Sequence, residues 1–256
     1  MQPLQTAILD WYAVNRRDLP WRRTRDPYAI LVSEVMLQQT QVARVVPRYD
    51  AWLRRWPTAQ ALAAATPADV LREWVGLGYN ARALRLREAC AIVAAEGWPT
   101  DAAGLRALPG VGPYTAAAVA SFAFGEPIAA VDTNVRRVAA RLDRTPEQLL
   151  PRARAAEWNQ ALMELGATVC GARRASCEAC PAAAWCNTRG AVVPAPRRKG
   201  VTRFEDSNRW VRGRIVAALA AGEELPAIAP ERLQPALDGL IRDRVVRREG
   251  DRIVLG

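Results

Sequence analysis

The stretch "LPGVGPYTAAAVASFAFG", residues 108–125, joins a glycine-rich corner directly to an alanine-rich run of helical character. Pro109 and Pro113 lack amide donors, and Gly110 and Gly112 favour left-handed backbone, so a tight turn is predicted here. The residues that follow begin a helix, whose first amides lack intrahelical partners and lie at the positive end of its dipole. The stretch therefore predicts an anion-binding corner, although a plain glycine turn between two core helices has the same local sequence.

The charge of the chain is strongly positive. Its 256 residues include 36 lysine and arginine side chains against 26 aspartate and glutamate, a net charge of +10, and Lys199 is the only lysine. The planar guanidinium fits phosphate oxygens, so the excess predicts a polyanionic partner, although an arginine-rich genome gives the same surface. No run is apolar enough to span a membrane and no signal peptide is recognisable, so a cytoplasmic protein without a membrane partner is expected.

Histidine is absent from the whole sequence. This excludes an imidazole general base, a histidine metal ligand and a Ser-His or Cys-His nucleophile. Any acid–base chemistry must therefore use carboxylates, tyrosine or water.

The first 190 residues are predicted to be all-α. Apolar residues recur at helical spacing in "PTAQALAAATPADVLREWV", "ARALRLREACAIVAAEG" and "EWNQALMELGATVC", and convincing strand alternation is missing. Thr66 before Pro67, with Asp69 following, has the pattern of a helix N-cap and a first-turn proline.

The C-terminal part has a different pattern. Residues 191–206 concentrate proline, glycine and charge without periodicity, which is typical of a linker. Beyond it, "SNRWVRGRIVAALAAG" and "APERLQPALDGLIRDR" predict two amphipathic helices, and "VVRREGDRIVLG" predicts a hairpin with a Glu-Gly-Asp turn. This order predicts a small winged-helix-like module over residues 207–256; a tail packed against the main body is the alternative.

Four of the five cysteines stand close together. Cys90 lies alone on an apolar helical face and is predicted to be a core residue, whereas Cys170, Cys177, Cys180 and Cys186 have the spacing C-x6-C-x2-C-x5-C. Four thiols so close in a reducing compartment indicate a metal site. Structural zinc usually takes two short Cys-x2-Cys pairs, so the uneven loops favour an iron–sulfur cluster, with zinc as the alternative.

The loop between the first two cysteines is basic. A bound metal would hold Arg173 and Arg174 in "GARRAS" as a rigid pair that contacts phosphate. The alternative is a solvated charged turn.

These features together resemble a known superfamily. The glycine corner, the aspartate of "VDTNVRR" some twenty residues later and the cysteine spacing resemble the helix-hairpin-helix DNA glycosylases that include endonuclease III. The strings "LPWRRTRDPYAILVSEVMLQQTQV" (residues 19–42) and "GLGY" (76–79) are similar to those of the MutY-type adenine DNA glycosylases. The resemblance covers about residues 8–190.

The resemblance implies an architecture. A six-helix barrel domain with the helix-hairpin-helix is expected over residues 26–130, and a helical domain holding a [4Fe–4S] cluster over 1–25 and 131–190. The active cleft is expected between these two domains.

Two carboxylates suit the chemistry that the resemblance implies. Breaking a purine N-glycosidic bond needs a proton for the leaving base and a negative group facing the developing sugar cation. Glu34 stands in the apolar run "AILVSEVML", where burial would raise its pKa, although a buried ion pair is the plainer interpretation. By resemblance Asp132 stabilises the cation with help from Asn134; otherwise it is only a helix N-cap.

Tyr114 follows the glycine corner at a position where the bifunctional relatives have a lysine. Tyrosine forms no imine with the sugar, so removal of a base without strand cleavage is expected. By resemblance Tyr114 supports the sugar cation beside Asp132; the alternative is an aromatic core residue.

The resemblance also implies a partner and its contacts. A base inside a duplex must be flipped out and the gap filled, so double-stranded DNA with a mispaired or damaged base is the expected partner of a monomer associated with the nucleoid. Gln39 and Tyr79 match the wedge residues, with Thr40 beside the opposite base. The expected DNA-binding residues are Gln39, Thr40, Tyr79, Leu108, Gly110, Val111, Gly112, Arg173 and Arg174.

Two departures leave other functions open. Asn80 follows "GLGY" where a second tyrosine is usual, and the histidine-containing Nudix-like domain that inspects oxoguanine in the MutY type is missing. A thymine or uracil mismatch glycosylase is therefore the nearest alternative to removal of adenine opposite oxoguanine or guanine. A non-catalytic iron–sulfur DNA-binding regulator is the alternative from another class.

Overall fold

The computed structural model describes residues 1–189 and 203–256, which form thirteen α-helices and one two-stranded sheet. The helices are α1 Pro3–Asn15, α2 Pro27–Leu37, α3 Val42–Arg55, α4 Ala59–Ala64, α5 Pro67–Trp74, α6 Ala81–Glu96, α7 Ala102–Leu105, α8 Pro113–Phe124, α9 Thr133–Arg141, α10 Pro146–Leu149, α11 Ala155–Thr168, α12 Asn208–Ala221 and α13 Pro230–Arg242. Strands β1 Val246–Glu249 and β2 Arg252–Leu255 pair antiparallel, with Val246 opposite Leu255. The all-α prediction for the body is confirmed.

Two sequence predictions concern the linker and membrane-spanning helices. Residues 191–202 of the predicted linker, including Lys199, lie outside the described residues. No helix in the two described ranges is both long and apolar enough to cross a bilayer.

The described chain groups into two compact units. The first comprises Met1–Leu31, Pro99–Ala107 and Val111–Arg197; the second comprises Val32–Trp98, Leu108–Gly110 and Arg198–Gly256. The boundaries of these units differ from those of the domains expected from the sequence. The expected domain boundaries stay a prediction.

The core of the first unit lies where α1, α9 and α11 meet. Ile8 and Tyr12 of α1 pack with Val138 of α9 and with Trp158 and Leu165 of α11, and all five side chains are buried. The apolar spacing along "EWNQALMELGATVC" therefore marks the face that α11 turns toward this core.

One ion-pair group is buried in the first unit. Glu164 of α11 is fully buried and accepts from Arg17 Nε and Arg22 Nη2, both at 2.7 Å. Burial opposes ionisation of this carboxyl, but the hydrogen bonds from the two arginines outweigh it and lower its pKa to about 2. The group holds the segment after α1 against α11.

In the second unit α3 and α5 contribute an aromatic cluster. Trp52 lies edge-on to Trp56 at 4.7 Å and to Trp74 at 5.3 Å between ring centroids. At the start of α5 the Thr66 hydroxyl accepts a 3.1 Å hydrogen bond from the Asp69 amide, so the predicted N-cap is confirmed.

The C-terminal segment, residues 203–256, shares a core with α5 and α6. Val211 and Ile215 of α12 and Leu240 of α13 pack in one buried cluster with Leu71 of α5 and Leu84 of α6. The two helices and the hairpin follow in the predicted order, and their apolar faces are covered by the second unit itself.

Candidate active site

The glycine corner has one left-handed residue. Gly110 has φ +76°, and a Cβ there would lie 2.9 Å from Cβ of Arg85. Gly112 instead has φ −84° and ψ 176° as the N-cap of α8, so the prediction of left-handed backbone at Gly112 is wrong. Its role is to end the turn in extended backbone, which a helix N-cap requires.

The corner turns backbone rather than side chains outward. Leu108 and Val111 are buried, whereas Gly110 is exposed. Within residues 1–189 and 203–256, the amides of Gly110 and Gly112 donate to no backbone carbonyl. Amides left free beside the start of α8 form the arrangement that binds an anion.

Tyr114 lies in the first turn of α8 in the first unit. It is half-buried, packs against a small cluster of Ala117, Ala118 and Ala130, and its hydroxyl donates to Sδ of Met163 at 3.7 Å. Part of the Tyr114 side chain is thus packed in the core, as expected for an aromatic core residue, and the rest is accessible.

Asp132 caps α9. Its Oδ1 accepts a 2.6 Å hydrogen bond from the Val135 amide, and its Oδ2 accepts a 2.8 Å hydrogen bond from Nδ2 of Asn134. The two oxygens are thus held by α9 itself, and the half-buried carboxylate has a fixed orientation. Asp132 is thus the N-cap of α9 through Oδ1, while its Oδ2 accepts from the side-chain amide of Asn134.

Arg137, which the sequence argument missed, connects this group to the first cysteine of the cluster. Its guanidinium donates to Asn134 Oδ1 at 2.7 Å, to the Gly166 carbonyl at 2.6 Å and to the Cys170 carbonyl at 2.8 Å. Gly166 allows Asn134 to pack closely against α11, because a Cβ at Gly166 would lie 2.6 Å from Cβ of Asn134. The orientation of Asn134 therefore depends on the backbone at Cys170.

The four clustered cysteines line one pocket. Cys170, Cys177, Cys180 and Cys186 all contribute to it, as does Arg141 of α9. Arg141 Nη1 donates to Sγ of Cys170 at 2.9 Å, and the Arg141 carbonyl accepts from the Cys186 thiol at 3.5 Å. Arg137 and Arg141 stand four residues apart and so lie on one face of α9, and both donate to the Cys170 carbonyl.

The donor set of this pocket fits a metal group held by thiolates. Burial raises the pKa of the Cys180 thiol, and the other three cysteines raise it further, so four thiolates there need added positive charge. A zinc ion would draw all four sulfurs to about 2.3 Å. As placed, the residues of the described ranges include no group of three or more His, Cys, Asp or Glu already gathered round a single metal ion.

The loop between Cys170 and Cys177 has a defined shape of its own. Cys170 and Ala175 form an isolated antiparallel bridge, and a Cβ at Gly171 would lie 2.5 Å from the Arg174 carbonyl. Arg173 and Arg174 at the tip are exposed. The predicted basic pair therefore projects from a tight hairpin anchored at a metal-ligand candidate.

Glu34 lies on α2, in the part of that helix that belongs to the second unit. The residue is only 6% exposed, which agrees with its place in the apolar run. Asp132, Asn134 and Tyr114 belong to the first unit.

Gln39 and Tyr79, matched to wedge residues by resemblance, meet in the second unit. The Tyr79 hydroxyl donates a 2.8 Å hydrogen bond to Oε1 of Gln39, and Tyr79 is 45% exposed. Both are non-glycine residues with positive φ, +56° and +48°. Each such conformation costs about 1–3 kcal/mol and is concentrated at functional sites.

Arg82, also missed from the sequence, holds the two loops that carry this pair. Nη1 donates to the carbonyls of Val35 and Gln38 at 2.6 and 2.7 Å, and Nη2 donates to those of Leu77 and Gly78 at 3.1 and 2.9 Å. The end of α2 and the glycine turn therefore share one guanidinium.

Thr40 joins the same two loops. Its hydroxyl donates to the Leu77 carbonyl at 3.4 Å, and the residue is half-buried. The structure thus brings Thr40 together with Gln39 and Tyr79 in one unit.

Comparison with known proteins identifies the family. Residues 32–165 match the HhH-GPD superfamily of base excision DNA repair proteins. The chain belongs to this superfamily. The matched region of the HhH-GPD superfamily contains Glu34, the glycine corner and Asp132.

Relatives with curated names agree with this family. The adenine DNA glycosylase of Mycolicibacterium smegmatis is 44% identical, and the match covers 95% of this chain and 92% of that protein. The human adenine DNA glycosylase is 44% identical over 214 residues, covering 72% of this chain and 39% of the human protein.

Solved structures of the HhH-GPD type share the fold. A thermostable thymine-DNA glycosylase has a TM-score of 0.67 at 31% identity, covering 72% of this chain and 93% of that one. A non-covalent endonuclease III–DNA complex has a TM-score of 0.62 at 25% identity, covering 72% and 92%.

Proposed function

We propose that the protein is a monofunctional DNA glycosylase that removes mispaired adenine opposite oxoguanine or guanine by hydrolysis of the N-glycosidic bond. The observation that carries this proposal is the 44% identity to an adenine DNA glycosylase over nearly the full length of both chains. The absence of histidine agrees with it, because the reaction can proceed with two carboxylates and water.

Glu34 is the proposed general acid. Glu34 is almost completely buried in α2, and in this proposal its carboxyl donates a proton to the adenine as the bond to the sugar breaks. Protonation turns the leaving base into a neutral molecule, which lowers the barrier to its departure.

Asp132 is the proposed stabiliser of the sugar cation. The hydrogen bonds from the Val135 amide and the Asn134 side chain fix the orientation of the carboxylate, so its charge is already placed when the cation develops. Asn134 also orients the attacking water, and the accessible part of Tyr114 supports the cation. No lysine lies among the described residues, so no imine with the sugar is expected.

The DNA is held by the corner, the wedge pair and the basic loop. Leu108 and Val111 anchor the corner while the amides of Gly110 and Gly112 bind phosphate. Gln39 and Tyr79 fill the gap left by the flipped adenine, and Thr40 lies beside the orphaned base. Arg173 and Arg174 contact the backbone.

A [4Fe–4S] cluster is the proposed occupant of the cysteine pocket, held by Cys170, Cys177, Cys180 and Cys186. When bound, it supplies four metal–thiolate bonds that crosslink the 17-residue segment 170–186. These bonds hold the Arg173–Arg174 hairpin and the backbone that Arg137 contacts. We further propose that the protein works as a nucleoid-associated monomer.

The decisive experiment compares two carboxylate variants with matched controls. Glu34→Gln keeps size but cannot deliver a proton, and Asp132→Asn removes the charge, so single-turnover adenine release should fall by at least about a hundredfold in each. Glu96→Gln, exposed on α6, controls for carboxylate loss. Asp101→Asn controls for loss of an aspartate N-cap, because Asp101 caps α7 by accepting from the Gly104 amide at 2.7 Å. A folded Glu34→Gln protein that releases adenine at the parental rate would contradict the mechanism.

A thymine or uracil mismatch glycosylase is the second candidate, favoured by the similarity to the thermostable thymine-DNA glycosylase. Excision from A·oxoguanine, A·G, T·G and U·G duplexes separates the two. Release of pyrimidines alone would replace the adenine assignment.

A further inference from the structure

The C-terminal segment contributes a side of the pocket that contains the wedge pair. Gln39, Tyr79 and Arg82 line this open pocket of about 500 Å³ together with Arg209 and Arg212 of α12. A pocket of this size accommodates a small planar ligand such as a nucleobase. We call the surface formed by Gln39, Tyr79 and Arg209 the wedge face.

Arg209 lies directly on the wedge tyrosine. Its guanidinium carbon is 4.2 Å from the centroid of the Tyr79 ring, and Nη1 lies 3.4 Å from the Tyr79 hydroxyl. Gly78 permits this approach, since a Cβ there would lie 3.2 Å from Nη2 of Arg209. Stacking on an aromatic ring fixes the plane of the guanidinium and leaves its edge free to donate.

The donors of Arg209 have no carboxylate acceptor within the described ranges, whereas Arg212, one helical turn along, forms an ion pair with Asp243. Arg209 is also exposed. Apart from the contact of Nη1 with the Tyr79 hydroxyl, the N–H groups of Arg209 are available to a ligand that enters the pocket.

Positive charge is concentrated at this point. Burial and then the charge of Arg209 lower the pKa of Arg82 to about 10. Two neighbouring guanidinium groups repel each other, so a ligand rich in hydrogen-bond acceptors stabilises both.

The proposed reaction requires a residue near the wedge face that recognises the base opposite the excised adenine. Adenine in normal A·T pairs outnumbers mispaired adenine, so a useful adenine glycosylase must inspect the base opposite its target. Once the target is flipped out, the residues that fill the gap face the orphaned base. On the major-groove edge, which an arginine stacked on the outside of the wedge can approach, guanine offers the two acceptors N7 and O6 to a guanidinium fork, whereas cytosine offers an amino donor there and thymine one acceptor and a methyl group.

We propose that Arg209 is a specificity-determining residue that binds the guanine left opposite the excised adenine. This inference rests on the proposed function and assigns part of its opposing-base preference to the C-terminal segment. A contact between Arg209 and a backbone phosphate is the competing outcome of the test.

The test measures single-turnover adenine release from A·G, A·oxoguanine and A·C duplexes. Arg209→Ala should lower the ratio of the A·G to the A·C rate by about tenfold or more, the discrimination typical of one bidentate arginine–guanine pair. Arg209→Lys should lose most of the same ratio, because an ammonium keeps the charge but not the fork. Arg214→Ala is the matched control, since Arg214 is exposed on the same helix, lies over Trp210 and does not line the pocket.

Binding to duplexes that carry an abasic analogue opposite guanine or cytosine gives a second readout, which needs no catalysis. Arg209→Ala should reduce the preference for guanine there too. An equal loss of affinity for both duplexes, with the slope of log binding constant against log salt concentration smaller in magnitude by about 0.9, would mean that Arg209 contacts a phosphate and would overturn the proposal. An unchanged ratio of the A·G to the A·C rate would also overturn it. A parental protein that releases no adenine from any duplex would instead refute the proposed function. The preference for guanine over cytosine in the binding experiment would then still test the role of Arg209.

Discussion

Nη2 of Arg137 donates a 2.7 Å hydrogen bond to Oδ1 of Asn134, whose own Nδ2 donates to the carboxylate of Asp132. The other donors of Arg137 bind the carbonyls of Gly166 and Cys170. One side chain therefore connects the backbone of a cysteine loop to the residue that orients the proposed catalytic carboxylate.

We expect Arg137→Ala to lower adenine release by about tenfold, equivalent to about 1.4 kcal/mol of transition-state stabilisation, even when the variant is folded. The cause is the loss of a fixed Asn134 side chain rather than the loss of any group that touches DNA. Single-turnover kinetics measure the effect. Arg136→Ala removes the same charge from an exposed neighbour and should keep the parental rate; equal rates for both variants would show that the connection has no function.

Acid stability should depend on Glu164. The folded pKa of about 2 lies below the ordinary value of 4.5, so the ionised group stabilises the fold by about 3 kcal/mol above pH 4.5, and this contribution disappears as pH falls toward 2. Glu164→Gln should therefore lower the free energy of unfolding at pH 7, and the difference from the parent should shrink in acid. Denaturant titrations across this pH range provide the measurement.

The control for this prediction is Glu157→Gln on the same helix. Its ion pair with Arg154 is solvent-accessible, so its removal should cost no more than about 0.5 kcal/mol. A constant difference between the Glu164→Gln variant and its parent at every pH would contradict the assignment.

The purified protein should contain iron and acid-labile sulfide. Cys180→Ala should abolish both and weaken DNA binding, because Arg173 and Arg174 then lose their anchor. Cys90→Ala should retain both, since Cys90 lies in the core, where burial raises the pKa of its thiol to about 12. Stoichiometric zinc without sulfide in anaerobically prepared protein would exclude the cluster.

The two glycines of the corner should respond differently to alanine. Gly110→Ala combines a positive φ with a Cβ 2.9 Å from that of Arg85, so it should destabilise the fold by about 1–2 kcal/mol. Gly112→Ala meets nothing within 4 Å and has extended backbone, so the unfolding free energy should change by less. Thermal unfolding of both variants checks the order, and the reverse order would refute the conformations assigned here.

Strand cleavage should not accompany base release. Borohydride should trap no covalent DNA adduct, because Tyr114 occupies the position where an imine-forming lysine is expected in bifunctional relatives. Products should break only after alkali. Lys199→Arg serves as the control, and a strong adduct that survives this substitution would identify another amine.

The sequence predicted what local chemistry determines. The Thr66 N-cap, the helical faces and the C-terminal hairpin depend on neighbours a few residues away, and all three are observed. Gly112 was predicted incorrectly because a helix N-cap and a left-handed turn accept the same residue. Arg82, Arg137 and Arg209 could not be identified, since their partners lie up to 130 residues away and one arginine among 36 basic residues has no local signature.

The contacts of Arg82 determine when the wedge pair becomes ordered. Because one guanidinium binds the carbonyls at the end of α2 and in the glycine turn, we expect the proposed wedge residues Gln39 and Tyr79 to lose their conformational freedom during folding and not on meeting DNA. A repair protein meets very many intact base pairs for each faulty one, so each encounter must be short. With a probe that is already rigid, the outcome of an encounter depends on how readily the duplex itself opens, and the weaker stacking of a mispair becomes the first step of discrimination.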